Sequence, residues 1–373
     1  MNRRILSVSI IVFLLFFKGS YRAQVILNSD TTIIEKKSTL TIGGGIDVYY
    51  SYDFNSPKNH TIPYYVSMNR HNEFNINLAY IDLKFESKRI RSRFIPAIGT
   101  FMNANYADEP GLLKIPIEAN VGVKLSKRKD LWLEAGVLSS PYTNENTFSK
   151  DHIMYTRSLA SEYVPYYLSG AKLSYTLNSK LKLAAYLLNG WQQIVDKNDS
   201  KSLGTQVEFK PNNKQLINWN TYIGDERSGS NPLFRTRYFT DIYWMYNLDG
   251  KFSFVSCLYI GNQQTRTFEN KLENNLWWQL NFSTRYTFKN NLALAARLEY
   301  FDDPNSIQIQ SITNTKGFNC FGSALGLTIP FEQNAFLRLE AKELFSLNNP
   351  LFLNGENNVR NTTILTANLT VWF

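Results

Sequence analysis

The chain has 373 residues and a formal charge of +9, with 22 Tyr, 25 Phe and 7 Trp against 3 His and 2 Cys. Beyond the first residues no apolar stretch is long enough for a spanning helix, which excludes a helical membrane protein. Cys257 and Cys320 lie too far apart in sequence to form a redox motif and give little support for a disulfide.

Residues 1–23 read as an export signal, with Arg3 and Arg4 ahead of an apolar run from Ile5 to Phe17 and a polar region before Ala23. Tyr21 fits a cut at Ala23 poorly, so the site of cleavage is approximate. Cleavage there removes four basic groups and no acidic ones, lowering the charge from +9 to +5. The basic excess is therefore modest. Residues 24–40 are read as a periplasmic N-terminal segment and 41–373 as one domain, since no Pro/Gly/Ser linker, composition break or exact repeat divides them.

From there the chain breaks into sixteen candidate strands: 41–53, 71–85, 90–103, 114–125, 131–140, 165–177, 180–190, 202–210, 215–225, 234–246, 251–261, 275–287, 291–301, 318–329, 335–345 and 363–373. Alternation is clearest in 291–300, where Leu292, Leu294, Leu298 and Tyr300 share one face and Arg297 and Glu299 the other. In 335–342, Leu337 and Leu339 oppose Arg338, Glu340 and Lys342. Most segments reach the roughly 9 to 11 residues that a tilted strand needs to cross a bilayer.

The connections alternate in length. Short turns at ESKR, SKRKD, NSK, PNNK, NLDG, KNN and PFEQ carry Asn, Gly, Pro, Asp and Ser, and longer polar segments lie between them, including one read from 261 to 274. Seven short turns and eight long loops predict an all-β, transmembrane, antiparallel up-and-down β-barrel of about sixteen strands, with both ends on the periplasmic side. Misreading one hairpin would change the number to 14 or 18. In the last strand Leu365, Leu369, Val371 and Phe373 share a face, matching a C-terminal signal for the barrel assembly machinery in which Leu369, Val371 and Phe373 are read. Tyr49, Tyr50, Tyr52, Tyr166, Tyr167, Trp191, Tyr243, Trp244, Tyr246, Trp277, Trp278 and Trp372 fall near strand ends, where rings settle at a membrane interface among outer-membrane lipids.

If the apolar faces meet lipid, the lumen receives Glu73, Arg91, Arg93, Glu118, Lys124, Glu134, Arg235, Arg237, Arg285, Arg297, Glu299, Arg338, Glu340 and Lys342. A lipid-facing Arg or Lys would cost up to about 2–4 kcal/mol at mid-depth. Either the arginines favour anions, or they pair with Glu118, Glu134, Glu299 and Glu340 and brace the wall. The two readings weigh equally. The connection from Ser139 to Val164 is the candidate constriction loop, carrying Tyr142, Lys150, Asp151, His152, Arg157 and Glu162.

Enzymatic readings find little support. His60, His71 and His152 fall in or beside loops with no metal-ligand spacing, and the Gly43–Gly45 run lacks a phosphate-loop lysine. The largest basic cluster, 127–129, fits a solvated turn, so no nucleic acid is expected as a partner. A large plugged transporter would need more chain than is present.

Several segments resemble the OmpL-like β-barrel porin family (beta-barrel porin-2 type) of Bacteroidota: IDVYYSYDFNSP, NEFNINLAYIDLKF, IEANVGVKL, LWLEAGVLSSPY, and above all YTRSLASEYVPYYLSGAKLSY with KLKLAAYLLNGWQ. The resemblance covers most of the mature chain but departs after LSSPY, where TNENTF replaces a GxE element, so any shared role of that loop is in doubt. It implies a barrel in the outer membrane of a Gram-negative bacterium, passing small hydrophilic solutes passively and needing no cofactor. A structural or adhesive barrel with a closed lumen and a substrate-specific uptake channel are the alternatives. Monomer and homotrimer both stay open.

Overall fold

The computed structural model describes residues 38–373. Residues 1–23, read above as an export signal, and residues 24–37 lie outside the described residues. The strands are β1 (Thr39–Asp53), β2 (Phe74–Glu86), β3 (Ile90–Ile98), β4 (Pro116–Lys124), β5 (Asp130–Ser139), β6 (Tyr167–Thr176), β7 (Leu181–Leu188), β8 (Ser202–Phe209) and β9 (Gln215–Asp225). They continue with β10 (Phe234–Tyr246), β11 (Phe252–Arg266), β12 (Leu272–Thr287), β13 (Ala293–Asp303), β14 (Phe318–Glu332), β15 (Ala335–Ser346), β16 (Phe352–Asn354), β17 (Asn357–Val359) and β18 (Asn361–Trp372). All except β16 and β17 form one closed barrel in which each strand pairs with its neighbour in sequence and β18 closes onto β1. Sixteen antiparallel strands thus abolish free sheet edges, as a barrel crossing lipid requires.

Alternation sets the two surfaces. One cross-strand row reads Trp219, Ile242, Leu258, Leu280, Tyr300, Phe321 and Phe345 on the outside. The next row holds Asp241, Tyr259, Gln279, Phe301, Cys320 and Ser346, all buried inside. Large apolar residues are exposed on the outer wall while charge is buried within, the inverse of a soluble protein and the pattern of a wall facing lipid.

Strand ends differ from the sequence reading by up to five residues. The barrel starts at Thr39, two residues before the expected start. The third strand ends at Ile98 rather than 103, because Gly99 takes φ +133 and the chain turns into α1 (Thr100–Asn105). A Cβ at Gly99 would stand 2.3 Å from the Asn77 carbonyl oxygen, so only glycine fits this turn. Residues 261–274 are mostly strand, since β11 and β12 pair as far as Arg266 and Leu272. Their polar side chains bond within the barrel, where Gln263 accepts from Arg237 and Asn275 donates to the Gln263 carbonyl, so polarity here marks an interior face rather than a loop. The small hairpin β16–β17 within the last long loop is an addition.

Aromatic placement is mixed. Trp244, Tyr246 and Trp278 lie on outward positions, with Trp244 stacked edge-on against Phe254. Tyr49, Tyr166, Tyr167 and Trp277 instead point inward and are buried, and Trp191 packs against the interior cluster. A one-residue step in a strand reverses the face, so adjacent rings cannot all serve a membrane girdle.

Candidate functional site: a lumen crossed by one loop

Loop 3 (140–166), between β5 and β6, folds into the barrel and reaches the opposite wall. Polar wall groups capture its backbone in order. Asp241 on β10 accepts the Thr143 N–H at 2.6 Å. Asp47 on β1 accepts hydroxyls from Ser149 at 2.6 Å and Tyr155 at 3.0 Å. Glu340 on β15 accepts the Tyr155 and Thr156 N–H groups at 2.8 and 3.0 Å and also the Thr156 hydroxyl. Glu299 on β13 takes the Leu159 N–H at 2.5 Å, at the start of the short helix α2 (Leu159–Glu162). Cations hold the loop carbonyls: Arg338 donates to the Ser149 oxygen, Arg297 to the Thr156 oxygen and Lys342 to the Arg157 oxygen.

These same wall groups pair with each other, which is what makes their burial tolerable. Arg297 lies 3.5 Å from both Glu145 and Glu299 and 3.7 Å from Glu340, and Lys342 lies 2.8 Å from Glu299. Arg157 is packed against the rings of Phe101 and Tyr166 and donates to the Asn146 and Thr147 carbonyls. Burial and the neighbouring Arg157 push His152 well below its ordinary range. The neutral ring bonds through Nε2 to the Asn146 carbonyl. Glu162 accepts the Ser67 N–H at 2.9 Å, and burial pushes its carboxyl up to about 7 against the pull of Arg157. Tyr142 donates to the Thr221 carbonyl, and Lys150 pairs with Asp151.

Loop 1 (54–73), loop 7 (304–317) and loop 8 (347–360) close over this crossing. Ile62, Tyr64, Tyr65, Leu159, Val164, Ile309, Leu351 and Phe352 share one buried cluster with wall residues Tyr222, Phe239, Tyr259 and Phe301. The Tyr64 hydroxyl donates to the Leu351 carbonyl and accepts the Ile312 N–H.

The other side of the lumen is different. Arg93 forks between Asp82 at 2.8 Å and Glu118 at 2.9 Å, and Arg91 meets Glu134 at 2.7 Å, with Lys172 3.5 Å from the same carboxylate. Side-chain exposure separates the two walls: Arg91, Arg93 and Lys172 keep 27 %, 33 % and 19 %, whereas Arg297 and Lys342 keep 1 % each. Water therefore reaches the cations Arg91, Arg93 and Lys172, although their partners Glu118 and Glu134 are buried, and loop 3 covers the charges of β13–β15.

The fourteen candidate lumen residues thus fall into distinct groups. Arg91, Arg93, Glu118 and Glu134 come together on the wet wall, and Arg297, Glu299, Arg338, Glu340 and Lys342 under loop 3. Glu73 precedes β2 and pairs with Arg70 in loop 1, and Arg235 bonds to the Pro232 carbonyl, so both sit at the extracellular rim. Lys124 reaches Asp130 beside a periplasmic turn. Arg237 bonds to Gln263 and packs over Trp191 and Trp277, and Arg285 bonds to the Leu248 carbonyl. Sequence reasoning missed Asp47, Asp82, Glu145 and Thr156. Asp47 had a signal, since Asp47, Tyr49, Ser51 and Asp53 alternate with Ile46, Val48, Tyr50 and Tyr52.

With this geometry established, comparison with known proteins is informative. The family model described as "Putative beta-barrel porin-2, OmpL-like" matches residues 39–373, which is the whole described barrel. The chain belongs to this family. No curated protein matches the sequence. Among solved structures, the trimer form of OmpT, an outer membrane protein of Vibrio cholerae, superposes with TM-score 0.59 at 10 % identity, covering 90 % of this chain and 99 % of that one. An anion-selective porin from Comamonas acidovorans gives 0.58 at 10 % identity, covering 90 % and 100 %. The outer membrane channel DcaP of Acinetobacter baumannii gives 0.58 at 10 % identity, covering 90 % and 97 %. At such identity the likeness speaks for the barrel fold. Among the described residues no group of three or more His, Cys, Asp or Glu side chains could hold a metal ion.

Proposed function

We propose that the chain is an outer-membrane porin through which small hydrophilic solutes diffuse passively, along an off-axis path beside β2–β8. The observation that carries this reading is the contrast in exposure between the paired charges of Arg91, Arg93 and Lys172 and those buried under loop 3. Loop 3 is then the constriction, with Tyr142, Lys150, Asp151, His152, Arg157 and Glu162 as its functional residues. Because Arg91 and Arg93 on this path are paired with carboxylates, the path discriminates weakly by charge, and any anion preference is slight. The proposal includes a Gram-negative host of the Bacteroidota, an N-terminal export signal, and delivery by the barrel assembly machinery through Leu369, Val371 and Phe373. Whether it acts as a monomer or a homotrimer is decided by cross-linking in the membrane.

Single-channel recording of the refolded mature protein in planar bilayers tests the reading. Ohmic steps with a reversal potential near zero in a salt gradient support it, and a large shift toward the cation or anion limit refutes weak selectivity. A second reading, a structural or adhesive barrel with a closed lumen, is favoured by the apolar cluster that joins loops 1, 3, 7 and 8 to the barrel wall, from Leu138, Leu168 and Leu188 on β5–β7 round to Ile364 on β18. A folded barrel that carries no current would select it.

A further inference from the structure

The arm of loop 3 that contains Tyr142 to Asp151 leaves a cavity of about 230 Å³ against the middle of β3 and the extracellular end of β4. Arg93 and Glu118 line it from the wall, and Glu145, Phe148, Asp151 and Tyr166 from the loop. It adjoins the water-exposed wall on which the diffusion path was placed.

Its chemistry is unusual for a channel that selects by charge. Arg93 is divided between Asp82 and Glu118, Asp151 is met by Lys150 at 2.8 Å, and Glu145 faces Arg297 at 3.5 Å. Each carboxylate has a cation beside it, but Arg93 serves both Asp82 and Glu118, so an anion finds no free cation here and the residual charge is slightly negative. What remains is hydrogen-bonding capacity, because a carboxylate offers about four lone-pair sites. The Tyr166 hydroxyl is a further group: the residue is 5 % exposed and that oxygen has no hydrogen-bond partner. Phe148, whose ring centroid lies 4.7 Å from that of Tyr80, adds an apolar ring. Several acceptors and an aromatic ring suit a molecule with many hydroxyl donors and apolar C–H faces. The volume lies below the roughly 300–1,000 Å³ of pockets for drug-sized ligands, which limits the occupant to a small solute.

We propose that this cavity is a binding station for an uncharged polyhydroxyl solute of monosaccharide size. The inference rests on the porin reading and adds a solute class to it. Glucose entering from the extracellular side pauses against Phe148 while its hydroxyls donate to Glu118 and Asp151.

The test is current through the refolded full-length mature protein during titration with glucose, against glycerol at equal osmolality. Gluconate and glucosamine serve as charged counterparts. Glucose should reduce the current in a saturable way, and Phe148→Leu and Asp151→Asn should each raise the half-blocking concentration at least fivefold while leaving the barrel heat-modifiable on gels. An effect of glucose no greater than that of glycerol, or stronger block by either charged sugar, overturns the inference while the porin reading stands. If the wild-type barrel passes no current, the porin reading fails and the site is judged by saturation-transfer NMR in detergent. Transfer to glucose protons that Phe148→Leu abolishes upholds the station, and its absence overturns it.

Discussion

Replacing Glu340 by alanine should release loop 3 from the far wall. The Glu340 carboxylate accepts the Tyr155 and Thr156 N–H groups at 2.8 and 3.0 Å and the Thr156 hydroxyl, and it lies 3.7 Å from Arg297. Hydrogen bonds to a charged group contribute about 1.5–3 kcal/mol each. Removing one member of a buried charged cluster costs about 3–5 kcal/mol. We take this lower range because water can replace part of the lost bonding once the loop moves. At about 1.4 kcal/mol per factor of ten, the balance between seated and released loop shifts by roughly two to three and a half orders of magnitude. Glu340→Gln keeps one acceptor and should fall between the two. Two readouts follow. Single-channel traces of Glu340→Ala should show larger or flickering conductance, and trypsin should cut after Arg157, which is 1 % exposed in the seated loop. A folded, heat-modifiable variant with unchanged current and an uncut Arg157 would refute the anchoring role.

Glu162 makes the contact between loops 1 and 3 sensitive to pH. Its carboxyl sits at about 7 in the folded barrel against an ordinary 4.5, so between these values only the folded form keeps the proton, and stability falls as pH rises, by about 3 kcal/mol in total. This contribution is fully present below about 4.5 and lost above about 7, as the buried carboxylate is left with the more distant charges of Arg157 and Lys342. Hydrogen exchange around Ser67, corrected for intrinsic rate, should be faster at pH 8 than at pH 5, and Glu162→Gln should remove the difference. Gly44→Ala should disturb barrel closure, since an added Cβ would lie 2.7 Å from the Phe373 ring and 2.8 Å from the Tyr80 carbonyl oxygen; a loss of about 1–3 kcal/mol is expected in refolding titrations. Deleting Phe373 should lower the yield of folded barrel in cells more than the yield of refolding into detergent, and equal losses would remove its role as an assembly signal. On the outer wall, Leu280→Arg places a charge at a lipid-facing position and should cost about 2–4 kcal/mol in guanidinium titrations in lipid vesicles, whereas Leu280→Phe should cost little.

The barrel was legible from residue order because its cause is local. Two-residue alternation in NLALAARLEY places Arg297 and Glu299 inside and Leu294 and Leu298 outside whatever the neighbouring strand contains, and the structure keeps that division. The strand number and the alternation of short and long connections follow from the same periodicity together with turn chemistry. Strand ends were less legible: the stop at Ile98 depends on the Asn77 carbonyl packed against Gly99, a residue distant in sequence.

The interior shows where reading along the chain stops. Composition marked 139–164 as a loop with mixed aromatic and charged side chains, but nothing local says that Glu340 and Glu299 take its N–H groups, or that Arg297 pairs with Glu145. Those contacts join residues 140 or more positions apart, brought together only when sixteen strands close. Sequence determined which side chains point into the barrel, because strand geometry permits only two directions. Tertiary structure decided which of them meet water, because that depends on which wall the crossing loop covers.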